Sequence, residues 1–154
     1  MIATVSEQSV DNGVPTPVWA MIEAAKQAPG EEKGRLLWAT QSCAPSALPT
    51  YFLLYKFHMS RGEYGSAMRA ARLGLQEAGR QAGLPTCIDG GGVYIPEGVS
   101  FAENGAARSW LFALRALVAA TQRAGAQEQA RAYLALLQRC DPDYSVSGVP
   151  PELQ

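Results

Sequence analysis

One histidine, three cysteines and a run of glycines behind an aspartate are the residues of this sequence with chemistry to offer. His58 is the sole imidazole. A His-rich metal site is therefore excluded, and no general-base partner stands out by spacing. Its plainer role is a satisfied histidine on a helix. Cys43, Cys87 and Cys140 are odd in number and widely spaced, with no CxxC pair. Free thiols in a reducing cytoplasm are the economical reading, and Cys140, near a helix end, has a reactive alternative. Asp89-Gly90-Gly91-Gly92 resembles a phosphate cradle. It lacks the GxGxxG spacing, and no GK[ST] follows, so it reads as a hinge or a partner-binding loop. Ser100 and Ser109 have no GxSxG context. Glu31-Glu32 opens a helix, where negative charge suits the dipole. No catalytic residue, cofactor site or metal site is assigned from these residues.

The bulk properties narrow the setting. The 154 residues are 47% apolar and 18% charged, the composition of one ordinary globular domain. Thirteen basic residues stand against fourteen acidic ones, a net charge of −1. General nucleic-acid binding needs a concentrated positive field, so a nucleic-acid partner is not expected. The longest apolar run, Tyr51 to Tyr55, falls far short of the ~20 residues of a membrane span. The first residues carry no basic, apolar leader pattern. A cytoplasmic location is expected.

The elements that must position any site are read from punctuation and periodicity. Residues 1–13 are polar and read as a flexible arm. Thr16-Pro17 starts a helix with Thr16 as its cap, and Val18, Met21, Ile22 and Ala25 share its inward face. Pro29-Gly30 ends that helix, and a second covers 31–43, weakened by Gly34. Ser46 is the expected cap of a third, 48–61, whose apolar residues surround nearly the whole circumference. Such a helix is covered on two sides or faces a partner. A fourth helix follows Gly62, with Tyr64, Ala67, Met68, Ala71, Leu75, Ala78 and Ala82 in one small-residue stripe and Gly83 as its stop. Residues 84–102 form a long Gly-rich loop of the kind that is functional or mobile. Two more helices carry Trp110, Leu114, Leu117 and Val118, then Ala130, Tyr133, Leu134 and Leu137. Asp141-Pro142 ends the last, and 143–154 reads as an extended tail. The sum is an all-α chain of about six helices in antiparallel hairpins, at about 16–43, 47–83 and 103–141, within one domain over 14–142.

Two hairpins repeat. Placing Gly62 on Gly125 sets Leu54 on Leu117, Ala67 on Ala130 and Ala71 on Leu134. Gly permits the turn, and the small Ala lets the second helix close on the first. On these residues, with Tyr51, Tyr64, Leu114, Leu137 and the closing Pro142, the chain resembles the tetratricopeptide repeat family over about 48–85 and 111–142. The spacing departs from that family's period of about 34 residues, being nearly doubled by the loop and a longer first helix. The first unit also lacks the closing proline. More narrowly, the aromatic LLYKF helix, GEYGSA, the AGLP stop, AARSWLFALRAL and the closing CDP resemble small tetratricopeptide-like proteins of nitrogen-fixing bacteria, the nitrogenase-associated factor T group. That resemblance implies a cytoplasmic protein that docks on the molybdenum–iron protein of nitrogenase to assist its maturation, protection or repair.

In such stacks the first helix of each pair lines a concave surface. The matching positions here are Phe52, Lys56 and Met59, then Phe112, Arg115, Ala119, Gln122 and Arg123. Apolar anchors beside cations suit an acidic partner segment. Arg69, Arg72 and Arg80 lie near one face of the fourth helix and offer a small basic patch, and Tyr94 offers an aromatic in the loop. Core packing and ordinary solvation are the alternative roles of these side chains. The favoured expectation is a non-catalytic protein-binding factor. Two others stay open: a helical enzyme with polar groups converging on His58 or the loop, and a carrier of a small apolar ligand walled by the aromatic helix.

Overall fold

Helix follows helix in the computed structural model, which describes residues 14–89, 92–103 and 105–149. The expected arm at 1–13, Gly90, Gly91 and the end of the tail from 150 lie outside the described residues. The helices are α1 (Thr16–Gln27), α2 (Gly30–Cys43), α3 (Leu48–Ser60), α4 (Tyr64–Ala82), α5 (Gly105–Arg123) and α6 (Gln127–Cys140). The fold is all-α, and no strand forms among the described residues. Each helix packs on its neighbour in sequence, and α3 also touches α5. The α4–α5 interface is the most extensive and α2–α3 the slightest of the neighbour interfaces.

The turns after α3 and α5 are the same structure twice. At the first, the Gly62 N–H donates to Met59 O, Glu63 N–H to His58 O and Ala67 N–H to Glu63 O. At the second, Gly125 donates to Gln122 O, Ala126 to Thr121 O and Ala130 to Ala126 O. Both glycines sit at positive φ, 72° and 84°, a conformation in which a Cβ is strained. The matched pairs Leu54 and Leu117, and Ala67 and Ala130, are all buried.

The helix starts differ from the expected caps. Thr16 lies inside α1, with Pro15 in the cap position, and Ala47 rather than Ser46 precedes α3; neither start has a side-chain cap. Pro17 and Pro49 each remove a first-turn N–H that a capping oxygen would have accepted from. The Ser46 carbonyl instead accepts from Gln81 Nε2 at 2.9 Å.

Two apolar clusters hold the helices. The larger centres on α5, where Trp110, Leu111, Leu114, Leu117 and Val118 are fully buried among Ala71, Leu75 and Ala78 of α4 and Tyr133 and Leu137 of α6. The smaller joins Ala25, Leu37, Leu54 and Ala70 across the first four helices. Aromatic α3 is covered on two sides, with Tyr51 and Leu54 buried and Phe52, Leu53, Tyr55 and Phe57 half-buried. Helix α4 buries more than one stripe, adding Ala70, Gly74 and Gly79, because it lies between α3 and α5. On α6, Leu136 is buried and Leu134 only half-buried. Glycines make the close crossings. A Cβ at Gly34 would stand 2.5 Å from Phe57 Cε2, and one at Gly74 2.9 Å from Tyr51 Cβ.

Two segments correct the sequence reading. Where a free loop is predicted at 84–102, the described part lies on the core. Trp110 Nε1 donates to Pro85 O at 2.8 Å. Phe101 is buried and stacks on Trp110 at 6.1 Å, and Val93, Ile95 and Val99 pack on the same cluster. Apolar residues spaced through the loop supply that burial, which its glycines mask in the sequence. Where an extended tail is predicted, 142–143 and 145–147 are turns. The buried Asp141 carboxylate accepts from Val146 N–H at 3.2 Å, Ser147 N–H at 2.8 Å and Ser147 Oγ at 2.7 Å.

Candidate functional site

A groove of about 610 Å³ runs between the first helices of the three pairs, α1, α3 and α5. Trp19 and Ile22 of α1, Leu48, Phe52 and Leu53 of α3, and Phe112 of α5 form its apolar lining. Lys26 and Lys56 are the only charged residues lining it among those described. Lys26 is shared with Glu23 at 3.2 Å, both exposed. Lys56 is exposed and makes no ion pair among the described residues. Arg108 lies over the Phe112 ring at 5.4 Å. An apolar floor under cationic edges can hold an apolar group and, beside it, a carboxylate.

The groove gathers Phe52, Lys56 and Phe112 of the residues named from sequence, and the rest lie elsewhere. Arg115 turns to the tail, donating to Gly148 O and Val149 O, each at 3.3 Å. Arg123 donates to Tyr64 Oη at 2.8 Å and stacks on that ring. Met59 and Gln122 are half-buried and do not line the groove. Arg69 lies over the Trp38 ring at 4.8 Å. Arg72 donates to Tyr133 Oη at 3.3 Å and approaches Asp89 at 3.9 Å. Two α4 cations aimed at different partners make no common patch. Tyr94 is 74% exposed and stands apart from the groove lining. Sequence reading missed the α1 wall. Trp19, Ile22 and Lys26 recur at three and four residues, a helical face that was legible beside the one chosen.

His58 has polar company rather than apolar packing alone. Trp38 Nε1–H donates to His58 Nε2 at 3.0 Å, and His58 Nδ1 stands 2.9 Å from Glu63 Oε1. An indole N–H only donates, so Nε2 accepts, and the proton is on Nδ1, which donates to Glu63. Both ring nitrogens are engaged, and no lone pair remains free in this arrangement. The bond from His58 comes first in holding Glu63 below the ordinary carboxylate range, with Arg61 adding to it. Asp89 is tied down by Tyr133, whose hydroxyl donates to it. Burial, then that carboxylate, pushes the Tyr133 hydroxyl up. Of the thiols, Cys43 and Cys87 are exposed, and burial pushes Cys140 up to about 11, away from a reactive thiolate.

Among the described residues no group of three or more His, Cys, Asp or Glu side chains is placed to hold a metal ion. No helix among them is long and apolar enough to cross a membrane. No protein-family model, curated protein or solved structure matches the chain.

Proposed function

We propose that this chain is a non-catalytic protein-binding factor whose groove between α1, α3 and α5 receives an acidic, partly apolar segment of its partner. One observation carries the reading. Three first helices, far apart in sequence, bring Trp19, Ile22, Phe52 and Phe112 together, and among the described residues the charges lining that surface are lysines. Aromatic anchors in a concave surface with like-signed charge at the edge are the usual makings of a recognition site. The matched turns at Gly62 and Gly125 support a tetratricopeptide-like arrangement of the helix pairs. On the sequence resemblance, the partner is the molybdenum–iron protein of nitrogenase, met in the cytoplasm and assisted in maturation, protection or repair.

The test is capture at low salt of purified molybdenum–iron protein by the immobilised chain, alongside Lys56→Glu and Phe52→Ser. Retention by the native chain, weakened at least tenfold by either change, is expected. Equal retention by all three chains refutes the groove, and no retention by the native chain refutes this partner. The volume and apolar lining of the groove favour one second reading, a carrier of a small apolar ligand. A hydrophobic fluorescent probe displaced by lipid but not by the protein partner selects it.

A further inference from the structure

Trp38 of α2 and His58 of α3 meet across the slightest of the neighbour interfaces, α2–α3. We propose that this pair is a proton-operated latch that holds the α1–α2 pair to α3. In the structure Nε2 accepts the indole N–H, which requires a neutral ring. Uptake of a proton by His58 places an N–H at Nε2, facing another N–H. The bond then becomes a repulsion, while Nδ1–H still donates to Glu63. Histidine is the one side-chain type whose unperturbed charge change falls between about pH 5 and about pH 8, and His58 is the sole histidine of the sequence.

The charges around the ring come from three places. From the α3–α4 turn, Glu63 faces Nδ1 directly at 2.9 Å. Arg61, 3.2 Å from the same Glu63 oxygen, competes for it. From α2, Glu31 lies 3.7 Å from Arg61, and Arg35 lines the same hollow while paired with Glu32. From α4, Arg69 covers the Trp38 ring at 4.8 Å. A protonated His58 therefore keeps its Glu63 partner and loses only Trp38, so the event is confined to the α2 side. The rest of this seam is the small cluster around Leu37 and Leu54, the Gly34–Phe57 crossing, the Gln41 Nε2 bond to Tyr51 Oη at 3.4 Å and the exposed Glu31–Arg61 pair. Because α1 is one wall of the groove, release of α2 moves Trp19, Ile22 and Lys26 relative to Phe52 and Phe112. That consequence for binding rests on the function proposed above; the latch does not.

The experiment is a pH titration of the isotope-labelled full chain by NMR, with no partner present. At the basic end the His58 ring is expected as the Nδ1–H tautomer. The Trp38 indole resonance, identified by its loss in Trp38→Phe, should shift in step with His58 protonation. Amides of α1 and α2 should move on the same midpoint, those of α5 and α6 should not, and exchange protection in α2 should fall about fivefold. In Trp38→Phe, which keeps an aromatic ring and removes the donor, α1 and α2 should no longer follow His58 protonation. The latch is overturned by an Nε2–H tautomer at the basic end or by an indole resonance indifferent to His58. It is equally overturned if the α1–α2 shifts survive in Trp38→Phe or in His58→Gln.

Discussion

Asp141 closes α6 with its backbone N–H, which donates to Leu137 O, and holds the turn that follows with its carboxylate. Burial alone would raise its pKa, but the N–H groups of Ser147 and Val146 and the hydroxyls of Ser147 and Ser145 outweigh that and hold it below the usual range. A group depressed in the folded state adds stability above its unfolded value, near ~3.9, and that stability is lost as pH falls through the folded value. Asp141→Asn replaces one acceptor oxygen by an amide that points donors at donors. A loss of about 1–3 kcal/mol is expected at neutral pH. Urea unfolding at neutral and acidic pH checks it: the variant should lose less than the native chain on acidification. An equal acid loss in both would show that the carboxylate is not the responsible group.

Among the elements, glycine has opposite meanings at different places on one helix. On α4, Gly74 faces Tyr51 Cβ, whose position the α3 backbone dictates, and Gly65 faces nothing within 4 Å. Alanine is the better helix former by about 1 kcal/mol in a helix interior. Gly74→Ala should nonetheless destabilise by about 1–3 kcal/mol, since α3 must move off, whereas Gly65→Ala should be neutral or slightly stabilising. Thermal melts of the two variants decide the matter, and a stable Gly74→Ala would mean that the crossing has slack. The same residues show what can be read from sequence. Periodicity and punctuation are local, so the six helices, the two matching turns and the burial of Trp110, Leu117 and Ala67 were legible. At Gly34 local propensity pointed the wrong way, because the reason for that glycine, Phe57, belongs to another helix. That Phe52, Lys56 and Phe112 face one groove was legible from their place on α3 and α5. Arg115 was not, since its acceptors are backbone carbonyls of a tail that gives no sign of folding back.

For the whole molecule, the two apolar clusters divide the labour. The larger binds α4, α5, α6 and the described part of the 84–102 loop, and the smaller is the main tie of the α1–α2 pair. Opening free energies should follow that division. Amides of α1 and α2 are expected to exchange faster than those of α5. Leu37→Ala, costing about 2–5 kcal/mol at a fully buried site, should widen the gap by loosening the first pair alone. Uniform acceleration across all six helices in that variant would show a single cooperative unit instead. If the division holds, the groove has one yielding wall, α1, and one firm one, α5.

The extensive α4–α5 interface joins helices that the chain makes well apart, with residues 83–104 between them. In chain order Ala71, Leu75 and Ala78 of α4 come well before Trp110 and Leu114, with which they share a cluster. Leu84, Ile88 and Phe101 fall in that interval, and all three end up buried in the same cluster. Of everything that covers this face of α4 in the fold, the loop is thus made sooner than α5, the helix with which α4 shares its widest contact.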